Sequence, residues 1–366
     1  MNNVNNTEKT TESLGFETKT KQMLEALYAW YPDHARDLPW RRDNDPYHVW
    51  ISEIMLQQTR VEAVKEYYVR FLKKLPTIAS LARVSDDMLM KLWEGLGYYN
   101  RARNLKKAAI EIEEVYGGSF PDTYEAIRSL PGIGAYTAGA IGSTCFELET
   151  PAVDGNVLRV FSRVMSYKEI IDKQSTKDAV CRELAKGYEY GKCKLATQSL
   201  MELGATICVP NGAPRCMECP LAHICASKDH DGWKNLPVRA EKKKRKIVDM
   251  SVFVLRCDHT FAIRKREKKG LLAGLWEYPN TDRKMDVQTA LNYVSGLGVS
   301  PAKLRMQTNY THIFSHVEWR MTAYFIDCME ATDDFIWTTR EKILTDYALP
   351  SAFRSFFDVS ADIDLD

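Results

Sequence analysis

Leu130-Pro-Gly-Ile-Gly-Ala-Tyr-Thr-Ala-Gly-Ala-Ile141 decides how the first half of this chain is read. Gly132 and Gly134 allow a tight turn between two helices. The amides of that turn, and of the helix that follows, can point outward at a phosphate. Such contacts position a protein on DNA without reading bases. Leu130-Pro before the glycines and Thr137-Ala138 after them complete a helix–hairpin–helix pattern.

About twenty residues on comes Pro151-Ala-Val-Asp-Gly-Asn-Val-Leu-Arg-Val160, with Asp154 just ahead of a new helix. Asp154 suits an N-cap, and a helix N-terminus favours its ionised form. An anion there suits an oxocarbenium-like sugar, so the two roles are compatible. Glu53 is the opposite case, because Ile51, Ile54, Met55 and Leu56 surround it. Its carboxyl is expected to stay protonated or to sit in a structural ion pair. Two carboxyls pushed in opposite directions give an acid and an anion, as in glycosidic cleavage.

The chain has 366 residues, which implies two or three domains. Apolar residues make up 45 % and the net charge is +1. Nucleic-acid binding would therefore need its basic residues gathered on one face. Residues 1–15 are polar and read as a disordered tail without the apolar core of a signal peptide. No stretch approaches the ~18 apolar residues of a membrane span, so a cytoplasmic, nucleoid-associated monomer is expected. Of nine cysteines, four form Cys208-x7-Cys216-x2-Cys219-x5-Cys225. An odd count without an export signal argues against disulfides. Four clustered thiolates suit zinc or an iron–sulfur cluster.

Residues 16–233 read as helical, with helices over Arg60–Lys74, Asp86–Glu94, Ala102–Tyr116, Asn156–Met165, Lys177–Gly187 and Lys194–Cys208. Met23, Leu24, Leu27, Tyr28 and Tyr31 mark one face of a first helix, and Val49–Leu56 a buried one. Residues 234–247 carry Arg239-Ala-Glu-Lys-Lys-Lys-Arg-Lys246 and read as a basic linker, a solvated tether or a phosphate-contacting strap. Residues 248–357 change character: Ile247–Arg256, Phe261–Arg266 and Trp319–Asp327 are β-like runs of a mixed α/β domain. Residues 358–366 are acidic and read as a second tail.

The hairpin, Asp154 and the cysteine loop, in that order, resemble the endonuclease III superfamily of DNA glycosylases. Asp37-Leu-Pro-Trp-Arg41, Trp50-Ile-Ser-Glu-Ile-Met-Leu-Gln-Gln-Thr-Arg60, Trp93-Glu-Gly-Leu-Gly-Tyr-Tyr99 and Pro151–Asn156 resemble more closely its MutY-type adenine DNA glycosylases, from about Leu24 to Tyr324. The resemblance implies removal of adenine mispaired with 8-oxoguanine or guanine in double-stranded DNA. It makes Glu53 the general acid and Asp154 the carboxylate that stabilises, or transiently bonds to, the sugar cation. Tyr136 and Asn156 then support this centre, and Arg41 and Gln198 lie near the flipped base. Gln58 and Tyr98 wedge into the duplex, with Gln57, Thr59, Gly132 and Gly134 also on DNA. Tyr136 stands where bifunctional relatives place a Schiff-base lysine, which implies a monofunctional enzyme. The matching loop of Cys208, Cys216, Cys219 and Cys225 carries a [4Fe–4S] cluster in the family. Here its first spacing is one residue longer, and Asn211-Gly212 looks like the inserted turn.

Gly270-Leu-Leu-Ala-Gly-Leu-Trp-Glu-Tyr-Pro279 resembles the start of a Nudix, MutT-like domain. The Arg-Glu and Glu-Glu pairs of the Nudix catalytic signature do not occur in residues 280–300. The resemblance therefore implies a lesion-reading domain without hydrolase activity, with Ser315 and His316 of Phe314-Ser315-His316 facing 8-oxoguanine. Read without it, Ser315 is a turn residue and His316 a surface or core histidine. The expected architecture is thus an all-α helix–hairpin–helix glycosylase core with an iron–sulfur loop, followed by a Nudix-like α/β domain.

Overall fold

A computed structural model describes residues 4–228, 231–241 and 244–363, with side chains from 15 to 360. The chain divides into two units, Met1–Arg83 with Asn104–Glu241, and Val84–Arg103 with Lys242–Asp366.

The first unit is helical. Its elements are α1 (Val4–His34), α2 (Pro46–Leu56), α3 (Val61–Lys74) and α4 (Ile78–Arg83). After α5 (Asp86–Leu92), which belongs to the second unit, α6 (Asn100–Tyr116) leads back to α7 (Tyr124–Ser129), α8 (Ala135–Cys145), α9 (Gly155–Met165), α10 (Gln174–Ala185) and α11 (Cys193–Thr206). The start of α2 is fixed by Pro46 in its first turn and by Asp45, which accepts from the Tyr47 amide at 2.8 Å. Val49, Trp50, Ile51, Ile54 and Met55 are all buried, so α2 is a core helix that carries Glu53. Met23, Leu24 and Leu27 of α1 pack with Val157, Val160 and Phe161 of α9 and with Leu200 and Leu203 of α11.

The second unit is built on a mixed sheet of β1 (Lys246–Cys257), β2 (Thr260–Lys265), β3 (Trp276–Glu277), β4 (Asn280–Thr281), β5 (Pro301–Ile313), β6 (Val317–Cys328) and β7 (Ile336–Thr339). Strands run in the order β3-β2-β1-β6-β5, with β4 beside β1 and β7 beside β2. β1 and β6 are parallel and β5 is antiparallel to β6. Met250, Val252 and Val254 pack with Phe353, Phe356 and Phe357 of α14 (Ser351–Ile363), while Phe253 and Leu255 pack with Ala290 and Val294 of α12 (Val287–Gly296). Helices on both faces explain why Met250–Leu255 is buried without alternation. A further helix, α13 (Arg340–Asp346), follows β7.

Several expected boundaries shift. Residues 1–3 of the N-terminal tail lie outside the described residues, and from Val4 the backbone is continuous with α1. The C-terminal stretch is helical beyond Asp358, because Phe353, Phe356, Phe357 and Ser360 continue one buried face; residues 364–366 lie outside the described residues. The basic linker is pinned at its start, where the Leu236 carbonyl accepts from Arg163 Nε (3.0 Å) and the Val238 carbonyl from the Ile171 amide (3.0 Å). Its end, Lys246-Ile247, is already β1, and Lys242 and Lys243 lie outside the described residues. Finally, α5 packs in the second unit. Lys91 Nζ donates to the carbonyls of Ile343 (3.3 Å) and Tyr347 (3.0 Å), and the Leu349 amide donates to Glu94 (2.9 Å).

Candidate active site

A cavity of about 370 Å³ in the first unit is lined by Arg41, Glu53, Gln57, Gln58, Thr59, Tyr136, Asp154, Asn156 and Gln198. That volume lies in the range of small-ligand sites, about 300–1,000 Å³. Three elements aim the reactive groups. Glu53 comes from α2, Tyr136 from the first turn of α8, and Asp154 caps α9.

Tyr136 donates its hydroxyl to Glu53 Oε2 at 2.7 Å. Asp154 Oδ1 accepts from the Val157 amide (2.8 Å) and Oδ2 from Asn156 Nδ2 (2.7 Å). Asn156 is held in turn by Arg159, whose Nη2 donates to Asn156 Oδ1 and to the Gly204 carbonyl, both at 2.8 Å. Gly204 is required here, since a Cβ would meet Asn156 Cβ at 2.6 Å. Arg159 Nε also donates to the Cys208 carbonyl at 2.7 Å.

Burial pushes the Glu53 carboxyl up to about 7; the Tyr136 hydroxyl opposes this, the charge of Asp154 adds to it, and Arg41 opposes it. Burial also raises Asp154, against the Val157 amide, the side chain and amide of Asn156, and the charge of Arg159. The two carboxyls therefore do not shift in opposite directions as the sequence suggested. The cavity walls desolvate both, and what separates them is the number of donors each one meets.

Sequence reasoning missed two neighbours. Glu202 of α11 is fully buried and accepts from Arg41 Nη2 (2.8 Å) and from Arg36 Nε (2.6 Å). Burial raises Glu202, but the two arginines hold it below the usual carboxylate range. Arg36 lines the cavity beside Arg41. The sequence signal was present, a lone glutamate in the apolar face of α11, the same signal that marked Glu53. Tyr31 donates to Gln198 Oε1 at 2.9 Å, which fixes that amide.

In the hairpin only Gly132 needs to be glycine. Its φ is +81° and a Cβ would meet Asn104 Cβ at 2.6 Å. Gly134 is extended (φ −93°), and nothing lies within 4 Å of a Cβ built there. Gln57 Nε2 donates to Thr137 Oγ1 at 3.4 Å, and Gln58 sits at a left-handed φ of +59°. Outside the first unit, Tyr98 (φ +47°) and Ser315 share a hydroxyl–hydroxyl hydrogen bond of 2.6 Å within the second. Ser315 and His316 are exposed between β5 and β6.

Cys208, Cys216, Cys219 and Cys225 line one small cavity of about 30 Å³ with Arg163. Arg163 Nη1 donates to Cys208 Sγ at 3.3 Å. Among the described residues no three His, Cys, Asp or Glu side chains converge on a single metal ion. Four thiols around a common space fit the donor set of an iron–sulfur cluster. Gly212 turns at φ +77° with open space around it, so the inserted residue falls in a turn that can take it.

Residues 51–188 match the HhH-GPD superfamily of base excision DNA repair proteins, and residues 251–359 match a NUDIX domain. The class is thus a helix–hairpin–helix base-excision repair protein, a DNA glycosylase hydrolysing N-glycosidic bonds, with a Nudix-like domain behind it. An adenine DNA glycosylase of Buchnera aphidicola is 34 % identical over 81 % of this chain and 84 % of its own length. The Homo sapiens adenine DNA glycosylase is 32 % identical over 82 % of this chain and 66 % of its own. A solved thermostable thymine-DNA glycosylase is 28 % identical with a TM-score of 0.52, covering 58 % of this chain and 97 % of that one. The chain belongs to the adenine DNA glycosylase family. No helix among the described residues is long and apolar enough to cross a membrane.

Proposed function

We propose that this enzyme removes adenine mispaired with 8-oxoguanine, and with guanine, from double-stranded DNA by hydrolysis alone. The observation that carries the reading is one cavity lined by two partly buried carboxyls with different donors, Glu53 and Asp154. Glu53, raised to about 7, holds a proton near neutral pH and gives it to the purine ring as the base leaves. Asp154, with three donors, is the carboxylate that stabilises the positive charge growing on the sugar or transiently bonds to it. Tyr136 orients Glu53, and Asn156 orients Asp154. Arg41 and Gln198 face the extruded base, Gln58 and Tyr98 fill the gap it leaves, and the Gly132–Gly134 hairpin holds the phosphates. Gln57 and Thr59 flank Gln58 against the strand. Ser315 and His316 read 8-oxoguanine.

Cys208, Cys216, Cys219 and Cys225 hold a [4Fe–4S] cluster, whose thiolate bonds would order residues 208–225. The lengthened first spacing is taken up at Gly212. Iron and sulfide analysis of anaerobically purified protein should give a four-iron stoichiometry; zinc instead would exclude the cluster.

The deciding experiment incubates the enzyme with duplexes carrying 8-oxoguanine:adenine, guanine:adenine and guanine:thymine, followed by alkali. Strand breaks are expected at adenine in the first two and none in the third. Cleavage at thymine would overturn the adenine reading. Breaks before alkali, or an adduct trapped by borohydride in the active site, would overturn hydrolysis alone. Asp154→Asn should bind the first duplex and leave it uncut, slowed by about 100-fold or more.

A further inference from the structure

Tyr98 is held in a conformation that its residue type disfavours. Its φ is +47° and its side chain is 48 % exposed. Strain of this kind persists only where the surroundings over-determine it. Here Arg101, one turn away in the same unit, supplies such a constraint beside the hydrogen bond between the Tyr98 and Ser315 hydroxyls. Arg101 Nη2 donates to the carbonyls of Leu96 (2.9 Å) and Gly97 (3.1 Å). Its guanidinium lies 5.3 Å from the Trp93 ring centroid and 5.7 Å from that of Tyr98. Its amide donates to the Tyr98 carbonyl at 2.8 Å. Trp93 Nε1 also donates to the Gly97 carbonyl (3.1 Å), so the bend at Gly95 (φ +95°) and Gly97 (φ +69°) is tied from both sides.

A guanidinium this enclosed is costly unless its donors are used. Burial lowers its pKa to about 10, which leaves it charged at neutral pH. One nitrogen, Nη2, donates to both carbonyls while the guanidinium lies over both rings; a lysine ammonium could reach the carbonyls but has no planar face to lay against the rings.

We propose that Arg101 is a positioning residue for base extrusion, a brace that fixes Tyr98 in its strained, half-exposed pose before DNA arrives. The proposal rests on the reading of Tyr98 as a wedge. Opening a base step costs unstacking energy. A wedge that is already ordered adds no ordering cost at that moment.

The test compares Arg101→Leu, Arg101→Lys and Tyr98→Ala in the full chain. Base extrusion is followed by the fluorescence of 2-aminopurine in place of the target adenine. Affinity for a duplex carrying a tetrahydrofuran abasic site reports binding with no base to extrude. Arg101→Leu should slow the fluorescence rise by about 10- to 100-fold, with a much smaller loss of abasic-site affinity. Arg101→Lys keeps the charge but loses the planar face over Trp93 and Tyr98; it should fold where Arg101→Leu does not, and it should show the same selective slowing, to a smaller degree. Equal losses in both measurements would mark Arg101 as merely structural and overturn the proposal. Slow extrusion in Tyr98→Ala with wild-type extrusion in both Arg101 variants would leave the wedge standing and overturn the brace. Wild-type extrusion in Tyr98→Ala would overturn the wedge reading and the brace with it.

Discussion

Glu53 is an acid whose strength one hydroxyl adjusts. Burial raises it to about 7, and the 2.7 Å hydrogen bond from Tyr136 favours the ionised form and so holds it down. If Glu53 delivers the proton, the single-turnover rate falls as pH rises through its pKa. Tyr136→Phe removes the restraining donor and should move that alkaline limb to higher pH. Glu53→Gln should lose about 100-fold or more and show no such limb. A limb that stays in place in Tyr136→Phe would refute the assignment of the acid. Stability carries the same sign. A raised carboxyl stabilises the fold fully below its ordinary value of 4.5, and that contribution is lost as pH rises through about 7. Glu53→Gln should therefore lose less Tm than the wild type over this interval in thermal melts. The sequence showed this residue because a carboxyl in an apolar helix stands out. It did not show the direction for Asp154, because desolvation depends on walls from α2, α8 and α11 that no local pattern reports.

At the scale of elements, the two hairpin glycines are alike in sequence and different in the fold. Gly132→Ala forces a left-handed φ, which costs about 1–2 kcal/mol, and drives a methyl into Asn104. Overpacking adds roughly 1–3 kcal/mol, so melting should show a Tm lowered by several degrees. Gly134→Ala fits the backbone as it stands and meets nothing within 4 Å. Its Tm should stay near the wild type, while duplex affinity weakens if the DNA backbone comes that close. Undiminished affinity in a binding titration would remove phosphate contact from the hairpin's role. Long apolar periodicity made most helices legible, within a few residues at their ends. α4 was missed because it spans only six residues, too few to show a period, and α7, equally short, was marked only as the helix ahead of the glycine turn. β5 was missed for another reason. It is an edge strand whose residues alternate between exposed and half-buried, so Lys303, Arg305 and Gln307 leave little apolar contrast to read. Gln58 and Tyr98 take left-handed φ without being glycine, and residue type gives no sign of that.

At the scale of the whole molecule, periodicity says that a helix has a buried face and not what covers it. α5 was legible as a helix, yet Lys91 and Glu94 bond to Ile343, Tyr347 and Leu349, far along the chain. The consequence is functional, because Tyr98 follows α5 and shares the second unit with Ser315, while Glu53 and Asp154 belong to the first. If Ser315 and His316 read the lesion and the two carboxyls cut the bond, as proposed, the two properties are separable. Ser315→Ala with His316→Ala removes two polar groups that would meet 8-oxoguanine, each hydrogen bond contributing about 0.5–1.5 kcal/mol. The ratio of kcat/KM for 8-oxoguanine:adenine over guanine:adenine should fall by roughly tenfold. The single-turnover rate on guanine:adenine at saturating enzyme should fall less than that on 8-oxoguanine:adenine, since the two carboxyls belong to the first unit and are untouched, while the Ser315 hydroxyl is bonded to Tyr98. An equal fall on both duplexes would mean that the double variant disturbs the fold or general DNA binding. An unchanged ratio would place recognition of 8-oxoguanine elsewhere in the chain.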